Sequence, residues 1–267
     1  MSNQIIFGSA GLGGVKEAEG VLEDFSRRGI KSCEIAFTYG VYIKDEADAK
    51  RIGAKAKELG IRLSIHSSYF VNLNSVEKEK LEATKKRILD CMKAGTLLGV
   101  DVVVFHPGYY GKLSKEESYE NIKNAIKDLQ RICKEKKYTP LLAPETMGKI
   151  NVFGSLDEIL KLVEETGCSA CIDFAHIYAR NIGKIDYVEV VKKLEKSKLK
   201  DDFVHVHFSG IEYGDKGEKK HKATPDEELK KLISAMKNSS IKKWNVINES
   251  PEMIEDSIKG IKFCEKL

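Results

Sequence analysis

The sequence predicts an α/β protein that folds as one (β/α)8 TIM barrel, and three observations lead to that prediction. Eight apolar, strand-like runs alternate with eight helix-like stretches. Regular alternation of this kind is typical of a parallel sheet, and eight repeats within 267 residues fit a closed barrel better than an open doubly wound sheet. No linker, low-complexity tract or change of composition divides the chain, so we expect residues 1–267 to form a single domain.

The predicted strands are rich in β-branched and aromatic residues, which favour extended structure. The clearest is Val102–Phe105, which Pro107 and Gly108 end by removing a backbone donor and permitting a tight turn. The other predicted strands are residues 5–7, 32–37, 62–66, 140–144, 170–173, 203–207 and 244–248. A glycine-rich stretch at residues 8–14 lacks the Lys-Ser/Thr ending of a phosphate-binding P-loop, so we expect a plain loop there.

Residues typical of helix ends mark the helices between these strands. Ser114 with Glu117, and Ser155 with Glu158, have the spacing of a capping box, and Ser75 is expected to cap a long helix. The predicted helices are residues 15–28, 45–59, 76–98, 115–136, 156–166 and 186–194, with two more beginning near residues 225 and 251. We expect a loop from the end of strand 170–173 through residue 183, and a long polar loop at residues 209–224.

Composition narrows the classes of protein to consider. The chain is 42% hydrophobic, enough for a sizeable core, but no apolar segment approaches the ~18 residues of a membrane span. A net charge of +4 permits a nucleic-acid partner without arguing for one. Six cysteines without a framework-like spacing indicate free thiols in a reducing compartment. With no signal peptide at the start of the sequence, we expect a cytoplasmic protein, and a monomer.

Six of the predicted strands end in a residue that can bind a metal ion. These residues are His66, His106, Glu145, Asp173, His207 and Glu249. Two further histidines can join them: His176 lies one turn after Asp173, and His221 lies on the polar 209–224 segment. Because active sites of this fold are built at the carboxyl ends of the strands, we expect all eight side chains to meet there.

Imidazole and carboxylate donors without thiolates suit zinc, and are also compatible with manganese or iron. Glu145, on the central strand, is expected to bridge two cations ~3.5–4 Å apart, an arrangement used for phosphoryl displacement. A water between them would be acidified and could attack phosphorus near neutral pH. Taken singly, these residues have simpler explanations: Asp173 and Glu249 could each cap a helix. We interpret His205 as structural, with its side chain directed away from that of His207.

The segments around these residues resemble the endonuclease IV family of apurinic/apyrimidinic (AP) endonucleases, within the xylose-isomerase-like barrel superfamily. The resemblance spans nearly the whole chain and is carried by His66-Ser67-Ser68-Tyr69-Phe70-Val71-Asn72-Leu73, Phe105-His106-Pro107-Gly108, Pro144-Glu145-Thr146, Cys171-Ile172-Asp173-Phe174-Ala175-His176 and Asn248-Glu249-Ser250. It implies a zinc-dependent TIM-barrel enzyme of DNA repair that acts on damaged double-stranded DNA. Such an enzyme hydrolyses the phosphodiester 5′ to an abasic site through a metal-bridging hydroxide.

The resemblance also implies roles for individual side chains. It assigns His66, His106 and Glu145 to one zinc ion, Glu145, Asp173, His207 and Glu249 to a second, and His176 and His221 to a third. Glu145 would be the catalytic residue that positions the hydroxide. Tyr69 would contact DNA by stacking in the distorted duplex.

Three positions depart from the family pattern, one of them near the start of the chain, where Ser9 or Ala10 stands in place of a usual histidine. Lys219 stands where the family has an aspartate ligand of the third ion, two residues before His221. A lysine is not a ligand, so either the third ion is lost or weakened, or Glu218 or Asp215 replaces the missing acid. The family's DNA-wedging arginine has its nearest counterpart here in Tyr42.

Two alternatives remain open at this point. A divalent-metal-dependent sugar or keto-acid isomerase or epimerase of the same superfamily would use one or two metals to polarise a carbonyl. The histidine-rich donor set favours phosphodiester chemistry over this interpretation, because such isomerases rely on more carboxylates. A barrel that binds damaged nucleic acid without cutting it is the third interpretation.

Overall fold

Eight parallel strands lie where the apolar runs predict them, in a computed structural model that describes residues 3–199 and 202–267. Their bounds are β1 Gln4–Ala10, β2 Ser32–Ala36, β3 Arg62–His66, β4 Val102–Phe105, β5 Leu141–Pro144, β6 Cys171–Asp173, β7 Val204–Phe208 and β10 Lys243–Asn248. The hydrogen-bonded order is β5-β4-β3-β2-β1-β10-β7-β6. A parallel bridge between Glu145 and Cys171 joins the β5 side of this sheet to β6, which confirms the predicted TIM barrel.

Helices surround the strands on the outside of the barrel. Their bounds are α1 Ala18–Arg27, α2 Glu46–Glu58, α3 Lys78–Leu98, α4 Lys115–Lys136, α5 Leu156–Thr166, α6 Phe174–Arg180, α7 Tyr187–Lys196, α8 Asp226–Lys237 and α9 Met253–Lys266. Both predicted capping boxes, at Ser114 and Ser155, are present. No helix in the described part of the chain is long and apolar enough to cross a membrane.

Three local predictions were wrong. Helix α3 begins at Lys78, and its N-cap is Glu77 rather than Ser75. The expected loop after β6 instead begins with the short helix α6, because the Asp173 carboxylate accepts a hydrogen bond from the His176 backbone N–H at 2.7 Å.

The third difference concerns residues 209–224, which form a β-hairpin for most of their length. Its strands are β8 Gly210–Gly214 and β9 Gly217–Lys222. The chain turns at Gly217 with a φ of 88°, a left-handed conformation that glycine adopts without strain. The loop after β5 fixes the tip, because the Glu218 N–H donates to the Gly148 carbonyl at 3.1 Å and the Ile150 N–H to the Lys216 carbonyl at 3.2 Å.

The core lies between the outer face of the barrel and the helices, and large apolar side chains such as Phe25, Ile35 and Trp244 are almost fully buried. All six cysteines are free thiols and five of them are buried, as predicted. The strands therefore present a fixed set of carboxyl ends on which the candidate site is built.

Candidate metal centre

Glu145, at the end of β5, lies at the centre of the predicted ligands. Its carboxylate is fully buried, and two imidazoles contact one oxygen: Oε2 lies 3.1 Å from His66 Nε2 and 3.2 Å from His106 Nε2. The other oxygen, Oε1, lies 3.1 Å from His207 Nδ1 and 3.4 Å from His176 Nδ1. One carboxylate thus contacts four histidines from four different parts of the chain.

All eight predicted ligands meet at this end of the barrel, in three overlapping groups. In each group the donor atoms lie within 4.8 Å of one another, as a bound cation requires: His66, His106 and Glu145; Glu145, Asp173, His207 and Glu249; and Asp173, His176 and His221. The grouping matches the one that the sequence resemblance implies, except that Asp173 also joins His176 and His221.

A buried carboxylate oxygen without a hydrogen-bond partner supports a cation here. Asp173 uses one oxygen to cap α6, while its Oδ2 is buried and has no hydrogen-bond partner among the described residues. Glu249 Oε2 lies 3.5 Å from His207 Nδ1 and 4.0 Å from His221 Nε2. Because buried charges are costly unless paired or bound to a metal, this donor set fits divalent cations such as zinc.

Second partners orient three of the histidines. His66 Nδ1 lies 2.8 Å from its neighbour's carbonyl, Ser67 O, and His176 Nδ1 lies 2.9 Å from Thr146 O. His221 Nδ1 lies 2.6 Å from Ser209 Oγ, whose hydroxyl donates to the Gly210 carbonyl. Each ring can therefore donate from Nδ1 and offer Nε2 to a cation, the arrangement common in metal sites.

The third group depends on the hairpin that carries Lys219 and His221. A bulge leaves Lys219 without a partner residue in the ladder, since Glu218 pairs with Tyr213, and Lys220 with Glu212. Side chains alternate between faces of a strand, so this extra residue brings Glu218 onto the face of His221. The Glu218 carboxylate lies 3.5 Å from His176 Nε2, whereas Lys219 is exposed. Of the two predicted substitutes for the missing acid, only Glu218 has this contact with the site.

Charges within the cluster shift the pKa values of its members strongly. Burial alone would lower the pKa of His66, but the hydrogen bond and charge of Glu145 raise it to about 9. The pKa values of His176 and His207 are likewise raised against the effect of burial. The cause is Asp173 and Glu145 for His176, and Cys171 followed by neighbouring carboxylates for His207. Burial opposes ionisation of Glu249, yet His207 lowers its pKa to about 2. Without a cation, protonated histidines balance the carboxylates.

Sequence reasoning missed Glu34 and misjudged His205. Glu34, on β2, is buried inside the barrel, with Oε1 2.9 Å from His207 Nε2 and Oε2 3.0 Å from His205 Nε2. His205 therefore points to the same side as His207, not away from it, because residues two apart in a strand share a face. A single charge inside the apolar run Cys33-Glu34-Ile35 was the only sequence signal.

Exposed aromatic side chains lie on the loops after β2 and β3, beside the candidate ligands. The Tyr69 ring lies 5.9 Å from that of His66 and 5.5 Å from that of His106, and the residue is 56% exposed. Tyr39 is 89% exposed and its ring lies 6.5 Å from that of Phe70.

Tyr42, the nearest counterpart of the family's DNA-wedging arginine, packs against the barrel. The Tyr42 ring packs edge-on against Phe37 at 5.1 Å, and its hydroxyl donates to the Gly13 carbonyl at 3.0 Å. Tyr42 is therefore held against the barrel, and Tyr39 is the aromatic residue that this loop exposes.

Fold and site together define a parallel TIM barrel whose strand ends carry a histidine and carboxylate cluster able to bind metal ions. Residues 22–267 match the family model described as the xylose isomerase-like TIM barrel. The chain belongs to this family. An uncharacterized protein of Methanocaldococcus jannaschii is 36% identical over 276 residues, covering 98% of both chains.

Relatives with named activities include endonucleases. A probable endonuclease 4 of Aquifex aeolicus is 29% identical over 131 residues, 47% of this chain and 45% of that protein. An apurinic-apyrimidinic endonuclease of Caenorhabditis elegans is 36% identical over 121 residues, 43% of this chain and 30% of its own length. The match thus spans less than half of each of these two endonucleases.

Solved structures confirm the fold. Endonuclease IV from Thermus thermophilus superposes with a TM-score of 0.76 at 19% identity, covering 98% of this chain and all of that one. A D-psicose 3-epimerase superposes with a TM-score of 0.70 at 14% identity, covering 100% of this chain and 99% of that one. The barrel is therefore shared by enzymes of both candidate classes.

Proposed function

We propose that this protein is a metal-dependent phosphodiesterase that incises damaged double-stranded DNA 5′ to an abasic site. The observation that carries the proposal is the donor set: four histidines contact the shared carboxylate of Glu145, with further carboxylates beside them. Endonuclease relatives match just under half of the chain. Zinc is the cation that these donors fit best, with manganese as an alternative.

Each part of the site has a proposed role. His66 and His106 would hold one ion with Glu145; Asp173, His207 and Glu249 would hold the second with Glu145; and His176, Glu218 and His221 would hold the third. Bound cations would acidify the attacking water and stabilise charge on phosphorus and on the leaving oxygen. Glu145 would contribute its carboxylate to both of the first two ions, and that carboxylate is fully buried.

The surroundings of the cluster suit a nucleic acid. Four exposed lysines, Lys216, Lys219, Lys220 and Lys222, lie on or beside the hairpin that supplies His221. Such residues neutralise backbone phosphates and make affinity depend on salt. The exposed rings of Tyr39, Tyr69 and Phe70 offer faces on which unstacked bases can stack.

The direct test is incision of a duplex with one abasic site by the purified, zinc-loaded protein. A matched intact duplex is the control. We expect a nick 5′ to the lesion, and a loss of about 10³-fold or more for Glu145→Gln, since the metal clamp supplies several kcal/mol.

Absence of incision with all ions bound would overturn the proposal. Turnover of a ketose by the same preparation, lost with Glu145→Gln, would instead support the isomerase or epimerase class. Binding to the abasic duplex without a nick would support a non-cutting barrel.

A further inference from the structure

Glu34 lies beneath the metal cluster, inside the barrel, where a lone carboxylate would be strongly unfavourable. Its Oε2 accepts a hydrogen bond from Ser64 Oγ at 2.8 Å and contacts His205 Nε2 at 3.0 Å. Its Oε1 lies 2.9 Å from His207 Nε2, and neither of these two atoms has another hydrogen-bond partner among the described residues. Among the described residues, Glu34 Oε1 and His207 Nε2 are thus paired with each other, and the Cys171 thiol also lies beside the His207 ring.

His207 is oriented differently from the other histidines of the site. Nδ1 of His66, His176 and His221 lies within 2.9 Å of a carbonyl or hydroxyl oxygen, and that of His176 also lies 3.4 Å from Glu145 Oε1. Nδ1 of His207 instead faces two carboxylates, 3.1 Å from Glu145 Oε1 and 3.5 Å from Glu249 Oε2. Its second nitrogen then meets a full, buried carboxylate. A carboxylate in this position fixes the proton on Nε2, leaves the Nδ1 lone pair free and makes the ring a stronger donor.

We propose that Glu34 is a positioning residue that holds His207 with Nδ1 free for a divalent cation, and so sets the affinity of the second ion site. This inference rests on the metal site of the proposed function but not on the reaction catalysed there. Glu34 touches neither substrate nor cation and acts through the His207 ring.

A competing interpretation is that the buried cluster holds an ion of its own. The donor atoms of Cys171, His205 and His207 do lie within 4.8 Å of one another. Against this, both ring nitrogens of His205 already have partners, Glu34 on one side and the Asn245 side-chain amide at 3.0 Å on the other. A His205 held in this way supports Glu34 instead of offering a free nitrogen.

The test is zinc affinity, measured on metal-free protein by competition with a chromogenic chelator, with stoichiometry from elemental analysis. Glu34→Gln keeps the size of the side chain and removes its charge. We expect the affinity for one zinc ion to fall by about 10–100-fold, as for other partners of metal-bound histidines. The affinity for the remaining zinc ions is expected to stay unchanged. Ser64→Ala, which removes a different partner of Glu34, is the matched control and is expected to change zinc affinity by less than about threefold.

Glu34→Asp keeps the charge and is expected to recover part of the zinc affinity that Glu34→Gln loses. If Glu34→Gln lacks a cooperative unfolding transition, Glu34→Asp is measured in its place. Wild-type zinc affinity in Glu34→Gln, or equal losses in the Gln and Asp variants, would overturn the inference. Loss of one zinc equivalent in Cys171→Ser would also overturn it, in favour of an ion within the buried cluster. Because zinc binding is read directly, a protein that fails to incise DNA leaves this result interpretable.

Discussion

The two sides of Glu145 are built from different kinds of structure. His66 and His106 lie on one side, and His176 and His221 lie on the other. The first pair ends or directly follows two neighbouring strands of the barrel, β3 and β4. The second pair lies on the short helix α6 and on the hairpin strand β9. The first side is fixed by the barrel itself, while the second depends on local features: the Asp173 cap of α6 and the bulge at Lys219.

The largest effect is expected where the barrel fixes the ligands. His106→Ala removes one of the imidazoles that contact Glu145 Oε2, so the first ion loses a third of its proposed protein ligands. We expect incision to fall by about 10³-fold, comparable to the several kcal/mol that a catalytic metal supplies. Single-turnover incision at saturating zinc measures this, and activity within about tenfold of wild type would show that this side is not essential.

A smaller effect is expected on the hairpin side. Glu218→Ala removes the carboxylate near His176 and is expected to reduce the stoichiometry by one zinc equivalent, with about a 10–100-fold loss of affinity for that ion. Elemental analysis after dialysis provides the measurement. The matched control is Glu212→Ala, a hairpin acid that contacts Lys220 instead. A count that stays at three in Glu218→Ala would show that Glu218 is not needed for the third ion, and a count of two in the wild type would show that Lys219 has eliminated that ion.

The exposed aromatic rings of Tyr39, Tyr69 and Phe70 lie on loops that follow barrel strands, on the same side as His66 and His106. Tyr39→Ala is expected to weaken binding to an abasic duplex by about tenfold, because one base–aromatic stack contributes about 1–3 kcal/mol. Leu141→Ala, which also truncates an exposed side chain but at the start of β5, serves as control. Fluorescence anisotropy at fixed salt reports the difference, and equal affinities of the Tyr39 variant and wild type would exclude stacking at this position.

The smallest effect is a gradual dependence on pH. The pKa of His66 is raised to about 9 in the metal-free protein, against about 6.5 when unfolded. Its charge therefore stabilises the folded state fully below about pH 6.5, and that stability is lost as the pH rises through about 9. Urea unfolding of chelator-treated protein should show a falling free energy of unfolding across this window, and a flatter curve for His66→Ala. A rise in stability would contradict the raised pKa.

Sequence alone predicted which side chains meet at the strand ends, for a physical reason. Each strand is a short apolar run, and the fold brings the residue at its end to the shared carboxyl end of the barrel. The positions of His66, His106 and Glu145 could therefore be predicted without knowing any contact between distant residues. Glu34 could not be found in this way, because its partners lie on β7, far along the chain. Glu218 depended on a one-residue bulge that sequence does not reveal.

Other errors came from rules applied too simply. His205 was placed opposite His207, although residues two apart in a strand share a face. Helix α6 was missed because seven residues are too few for a clear helical period. The 209–224 segment looked like a loop, since charged residues dominate it and its strands pair mainly with each other.

The bulge in β9 has a consequence for how this chain can change during evolution. Loops at the opposite end of the barrel can gain or lose residues with little effect on the site. In the hairpin, by contrast, one inserted or deleted residue between Glu218 and His221 would turn one of the two away from the other. The spacing in this stretch is therefore under tighter constraint than the identity of Lys219, and homologues should show length variation almost everywhere before they show it here.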